Sequence, residues 1–166
     1  MENVVHRLVD PEEFKTGMRS LAGAVNIVTS MYAGCRYGMT ATAVCSVSVA
    51  PPTVLVCVNR NAKTHGAIEK SGAFCINVLR AEHRELSLAF SGAQSGEARF
   101  SIAEWSHLAT GSPVLVPSLV SLDCRVAKKI THGTHTIFLG AVGQILFGKK
   151  GRPLLYVEGK HARIAS

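Results

Sequence analysis

The stretch Gly38-Met39-Thr40-Ala41-Thr42-Ala43-Val44-Cys45-Ser46-Val47-Ser48 is small or hydroxyl-bearing at nearly every position. Its Thr, Val and Ser content reads as a strand, yet a strand packed on both faces would carry Val, Ile and Leu throughout. Small side chains let another object approach the backbone, and hydroxyls and free N–H groups can hydrogen-bond to it. An edge strand with Thr and Ser turned to water carries the same pattern. Asn59-Arg60-Asn61-Ala62-Lys63-Thr64 sets two cations and several amide and hydroxyl groups at a helix start. A phosphate suits that place, because the first N–H groups of a helix and its dipole favour negative charge. Arg60 can grip a phosphate as a fork and Lys63 as a point charge. A solvated loop with ordinary Asn and Thr caps is the plainer alternative. His135 opens the apolar run Thr136-Ile137-Phe138-Leu139 and is flanked by hydroxyls. A histidine there can touch a ligand or move a proton near neutral pH, or it can serve the structure alone. Trp105 and Tyr156 can stack on an aromatic ring or simply pack.

Other chemistries lack their residues. The chain has no G-x-G-x-x-G and no Walker loop, the two usual nucleotide cradles. Cys35, Cys45, Cys57, Cys75 and Cys124 are odd in number and contain no C-x-x-C pair. They read as small buried hydrophobes in a reducing cytosol. The other histidines are isolated, so no metal site is expected. Ser20, Ser46 and Ser118 lack a nucleophile-elbow context.

The elements that must position these groups are mostly strands. Asp10-Pro11-Glu12-Glu13 is a helix start with a cap, an N1 proline and a capping-box glutamate. Phe14, Met18 and Leu21 then share one helical face, and Gly23 ends the helix. Strands are expected over 24–32, 37–49 and 53–59, the last nearly all apolar and therefore central. A short helix over 64–71 precedes a strand over 73–79 and a helix over 81–90. Residues 91–111 read as an ordered loop. Long strands over 118–130 and 134–147 flank the turn at Thr131-His132-Gly133, and a last strand covers 154–157. Seven or so strands without a β-α-β rhythm, with short helices inserted, close most readily into a barrel, which removes exposed edges. The expectation is one α+β, mainly β domain over residues 1–166.

Composition narrows the partners. The 166 residues are 47% hydrophobic and 17% charged, against about a quarter charged in an ordinary soluble domain. No run reaches the roughly 18 apolar residues of a membrane helix. No basic stretch with an apolar run opens the chain, so a cytoplasmic protein is expected. The apolar surplus then needs cover from a second subunit or a flat ligand. Lys and Arg number 18 against 11 Asp and Glu, a net charge of +7, which favours anionic partners. The densest clusters, Lys128-Lys129 and Lys149-Lys150-Gly151-Arg152, lie beside expected turns. There is no basic helix and no Arg/aromatic interleaving, so a phosphorylated metabolite or cofactor fits better than nucleic acid.

Taken in order, the segments resemble the short-chain flavin reductases, which include the reductase components of two-component flavin monooxygenases. The carriers are Met18-Arg19, Gly23, Val25, Val28-Thr29, Gly38-Met39-Thr40-Ala41, Ser46-Val47-Ser48 and Pro51-Pro52. They continue through Val58-Asn59, Thr64, Phe74, Asn77-Val78-Leu79, Phe90-Ser91-Gly92, Arg99-Phe100, Trp105 and Gly111. Pro113-Val114-Leu115, Gly133-Thr134-His135 and Pro153-Leu154-Leu155-Tyr156 complete the set. The resemblance runs from about Phe14 to Gly159. It implies an FMN-binding split β-barrel, a homodimer, and hydride transfer from NADH or NADPH to FMN or FAD. Gly38, Met39, Thr40, Ala41, Thr42, Ala43, Cys45, Ser46, Val47 and Ser48 would line the flavin ring and ribityl chain. Cys45 departs from the asparagine-, serine- or leucine-like residue usual there. Asn59, Arg60, Lys63 and Thr64 would hold the phosphate. Phe90, Ser91, Gly92 and Arg99 would lie near the flavin or the partner subunit, Tyr156 would finish the pocket, and His135 would face the nicotinamide as the catalytic residue. The acceptor would be a monooxygenase component. The same family holds flavin-retaining corrin reductases of cobalamin biosynthesis, and a non-enzymatic flavin or haem binder, with His135 as haem ligand, is the reading from another class.

Overall fold

The computed structural model describes residues 8–93 and 96–164. Its elements in chain order are α1 (Pro11–Met18), β1 (Gly23–Ala24), β2 (Asn26–Tyr32), β3 (Cys35–Ala41), β4 (Val44–Val49) and β5 (Pro52–Asn59). Next come α2 (Lys63–Ser71), β6 (Ala73–Val78), α3 (Arg84–Leu88), β7 (Trp105–His107), β8 (Pro113–Leu115), β9 (Val120–His132), β10 (His135–Phe147), β11 (Leu155–Val157) and β12 (Lys160–Ala162). A π-type turn over Ala89–Ala93 and a 3-10 turn over Gly96–Phe100 lie between α3 and β7.

Seven strands form one antiparallel sheet in the order β3-β2-β6-β9-β10-β5-β4. The two edge strands, β3 and β4, are neighbours in sequence, joined only by Thr42 and Ala43. A flat sheet of seven strands would hold its edges about 29 Å apart, whereas a two-residue link reaches roughly 11 Å. The sheet therefore curls until its edges meet. Thr42 and Ala43 each give a carbonyl to the seam, to the N–H groups of Val44 and Cys57. β3 and β4 do not pair with each other, so the barrel is split at that point.

This corrects the single strand expected over 37–49, which is two strands on opposite edges. The apolar strand β5 is next to an edge rather than central. Its outer neighbour β4 is short and irregular, with a bulge between Ser46 and Ser48. The helix expected over 81–90 is helical only across α3, and Gly92 at φ 114° breaks the turn that follows. The loop expected over 91–111 contains a strand, β7, which pairs with β8; Gln94 and Ser95 lie outside the described residues. α1 stops at Met18 and buries none of its residues, so Phe14, Met18 and Leu21 present their apolar face outward. Cys75 and Cys124 are buried and Cys57 half-buried, but Cys35 and Cys45 are exposed, against the expectation for them.

The barrel is filled by Val28, Val54, Val56, Val58, Ile68, Phe74, Ile76, Cys124 and Phe138. Burial and the nearby Asp123 carboxylate push the Cys124 thiol up to about 12, which makes it an inert filler. Asn77, fully buried on β6, is saturated. Its amide N–H groups go to the Ile27 carbonyl at 3.0 Å and Thr29 Oγ1 at 3.2 Å, and its Oδ1 accepts from Leu115 N at 2.8 Å and Ser121 Oγ at 2.7 Å. It pins β8 to the sheet. A second apolar cluster, with Val25, Ile27, Leu79, Leu86, Phe90, Phe100, Leu115 and Leu154, lies between the sheet and the α3 segment.

Two glycines mark where rings press on the sheet. A Cβ on Gly140 would overlap Phe74 Cζ and come within 2.9 Å of Cys124 Cβ, and one on Gly38 would stand 2.7 Å from Phe90 Cε1. Phe90 in turn packs edge-on against Phe100, centroids 5.0 Å apart, and against Trp105 at 5.5 Å. Gly140→Ala is expected to destabilise the fold by about 2 kcal/mol through overpacking, read from its midpoint of urea unfolding. Gly38→Ala is expected to displace Phe90 and so alter the fluorescence of the chain's one tryptophan; an emission spectrum identical to the parent's would show that Phe90 accommodates the methyl without moving.

Candidate functional site

A cleft of about 620 Å3 runs along the outer side of β3. Gly38, Met39, Thr40, Ala41 and Thr42 line it from that strand and its exit. Because β3 is an edge strand, one row of its N–H and C=O groups has no ladder partner, and its small side chains leave that backbone approachable. Both readings of the 38–48 stretch thus meet: its strands are sheet edges, and the first of them lines a cavity.

The N-terminus of α2 opens into the cleft through Ala62, Lys63 and Thr64. Ala62 is the N-cap and has no side chain able to accept from the first helical N–H groups; no acidic residue stands in the first turn. The Asn59 side chain that might have served accepts instead from Asn61 N at 2.9 Å. The helix is held from behind: His65 Nε2 lies 2.9 Å from Thr136 Oγ1 and its ring 5.3 Å from Phe138. An uncapped, anchored helix start beside a lysine is built for an anion.

The opposing wall is α3 and the turns after it, with Ser87, Leu88, Phe90, Ser91, Gly92, Gly96 and Arg99. The Arg99 guanidinium sits 5.2 Å from the Phe90 ring centroid. Its Nε is buried without a hydrogen-bond partner among the described residues, and so is the indole N–H of Trp105. Burial pulls the Arg99 pKa down and Glu97 acts the other way. Val25, Tyr156 and His161 close the cleft's end. Tyr156 and His161 face one another across the β11–β12 hairpin, their rings 5.6 Å apart and close to perpendicular at 77°. Among the described residues no carboxylate lines the cleft, so Lys63 and Arg99 give it a positive field.

Of the expected site residues, Gly38, Met39, Thr40, Ala41, Thr42, Lys63, Thr64, Phe90, Ser91, Gly92, Arg99 and Tyr156 meet in this cleft. The rest do not line it. Ala43, Cys45, Ser46, Val47 and Ser48 lie on or beside the exposed edge strand β4. Asn59, Arg60 and His135 gather at another corner. His135 pairs with Asn59 across the β5–β10 ladder, the Arg60 N–H donates to the Thr134 carbonyl at 2.9 Å, and His135 Nδ1 lies 2.9 Å from Thr134 Oγ1. His135 is exposed there.

Sequence reading missed Val25, Ala62, Ser87, Leu88, Gly96 and His161. Ala62 carried a signal, since an alanine at an N-cap leaves the helix start open. His161 carried a weaker one: Glu158 and Gly159, at φ 51° and 76°, form the two-residue hairpin turn that sets it opposite Tyr156.

Comparison with known proteins agrees with this architecture. The flavin reductase like domain family matches residues 18–165. A Pantoea ananatis protein named FMN reductase (NADH) RutF is 47% identical over 153 residues, covering 92% of this chain and 80% of its own. Among solved structures, BorF, the flavin reductase component of a bacterial two-component tryptophan halogenase, superposes with a TM-score of 0.87 at 27% identity, covering 95% of this chain and 99% of its own. SgcE6 of Streptomyces globisporus, an NADH:FAD oxidoreductase solved with NAD and FAD fragments, gives 0.87 at 28% identity over 96% of this chain and 97% of its own. The split barrel, the cleft along its edge strand and the match over residues 18–165 lead to one conclusion: the chain belongs to the flavin reductase-like domain family.

Proposed function

We propose that this chain is an NADH-dependent flavin reductase that holds FMN in the β3 cleft, works as a homodimer and delivers reduced flavin to a separate oxygenase component. The uncapped start of α2, set in a cleft that Lys63 and Arg99 make cationic and a small-residue edge strand lines, carries the reading. A phosphate on a chain fits the former and a flat ring the latter. The name of the Pantoea ananatis relative supports FMN and NADH, and that of BorF supports an oxygenase as the destination.

Bound flavin supplies the ring that accepts hydride from the nicotinamide. The protein's share is positional. Lys63 and the free N–H groups at the start of α2 hold the phosphate. The unpaired edge of β3 hydrogen-bonds the ring, and Phe90 and Tyr156 keep water from its faces. Arg99, half-buried and with its Nε unpartnered among the described residues, takes a second anionic group.

The residues left outside the cleft fit the dimer. Val47 and Val49 on β4, Ile130 on β9, and Ile145 and Phe147 on β10 are exposed apolar side chains. A second copy covering them would also bury the Cys45–Ser48 edge and the corner with His135, where His135 would meet the nicotinamide.

Purified protein is expected to oxidise NADH when FMN is present, with a lower KM for FMN than for FAD. Failure with both flavins would overturn the reading, and reduction of a cobalt(II) corrin with retained flavin would redirect it. Lys63→Ala is expected to weaken FMN binding roughly tenfold, from the loss of one charge-assisted contact, and to leave riboflavin, which lacks the phosphate, unaffected. In sedimentation, Val49→Asp is expected to shift the protein toward monomer; a parent already monomeric at micromolar concentration would remove the dimer.

A further inference from the structure

His161 is tied to the cleft wall by part-buried hydrogen bonds at Ser87. On β3, Thr40 Oγ1 donates to the Ser87 carbonyl at 2.6 Å. Ser87, on α3 and 1% exposed, sets its Oγ 3.0 Å from His161 Nε2, and that hydroxyl has no other partner among the described residues. A buried hydroxyl uses its proton where an acceptor is offered. Here that acceptor is Nε2, which puts the ring hydrogen on Nδ1. Nδ1 makes no hydrogen bond among the described residues. Tyr156 stands edge-on to the ring, and the ring separates the main cleft from a smaller cavity lined by Ala81, Arg84, Leu154, Ala162 and Arg163. Arg84 and Arg163 line that smaller cavity and Lys63 and Arg99 the cleft, Glu158 on the same hairpin is paired with Lys160 at 3.4 Å, and among the described residues neither cavity is lined by a carboxylate. Burial and the Arg84 guanidinium lower the His161 pKa, which favours the neutral imidazole.

We propose that His161, fixed by Ser87 and Tyr156, is a ligand-positioning residue of the cleft, its Nδ1–H donating to a carbonyl or imino acceptor of the bound heterocycle. The inference rests on the flavin reductase reading. Two ligands offer such an acceptor, the pyrimidine edge of flavin and the carboxamide of nicotinamide, and the ordering of His161 through α3 makes its donor ready for either without rearrangement.

The test starts with the parent protein, whose FMN affinity is measured by fluorescence quenching; absence of binding there would overturn the functional reading itself. With binding in hand, His161→Ala is expected to lose about tenfold in affinity for its ligand, as one hydrogen bond is worth. His161→Asn, which keeps a donor near the Nδ1 position, should restore most of that loss. A raised FMN Kd assigns the contact to flavin, and a raised KM for NADH with unchanged FMN Kd assigns it to nicotinamide. Should the alanine variant fail to fold, nitrogen-15 NMR of the parent decides. The His161 ring is expected to carry its proton on Nδ1 and to shift on adding FMN or NAD+. An unshifted ring with both ligands saturating, or a folded His161→Ala with parental Kd, KM and kcat, would overturn the proposal.

Discussion

The short link at Thr42-Ala43 constrains everything else. It forces the two edges of a seven-stranded sheet to the same place and leaves them unpaired with each other. An ordinary barrel would seal that seam with a ladder. Here the seam remains a line of accessible backbone, and the cleft is built along one side of it. The curl also gathers Val54, Val56, Val58, Phe74 and Phe138 into one interior. Closing the barrel and opening the site are one geometric event.

The cleft's other parts are placed by groups whose own needs are met elsewhere. α2 aims its open end at the cavity because His65 and Ile68 anchor it from behind. Asn77 ties β8 to the sheet, which backs the aromatic cluster of Phe90, Phe100 and Trp105. Gly38 lets that cluster lie against β3. Two polar groups left unsatisfied, the start of α2 and Arg99 Nε, border the cavity. The Trp105 indole N–H, behind the cleft wall, is the other buried side-chain group without a partner among the described residues; buried polar groups are as a rule paired, so the orphans that border the cavity point to a ligand there.

The net charge of +7 gains a local meaning from this arrangement. Among the described residues two cations, Lys63 and Arg99, line the cleft and no carboxylate does. Other basic residues, such as Arg125, Lys128 and Lys129 on β9, stand on the outer surface, where they act at most as a general attraction for anionic partners.

Local chemistry in the sequence was enough to determine the punctuation and the chemical suggestions. The Asp10-Pro11 helix start, the phosphate-suited run before α2 and the odd polarity of residues 38–48 are all readable, because each rests on a few adjacent residues. The ordered motifs also carried the family. What only the tertiary structure decided involves separations that periodicity cannot see. A strand pattern unbroken through Thr42 hid a crossing from one sheet edge to the other. The apolar strand β5 looked central because its faces are covered, whereas order in a sheet depends on which ladders form. Lys63 and Arg60 are equal as sequence and only three residues apart, yet the turn into α2 puts the first in the cleft and the second at the His135 corner. His161 finds its partner Ser87 74 residues away. Such pairings depend on loop closure and packing over the whole chain, and no local preference encodes them.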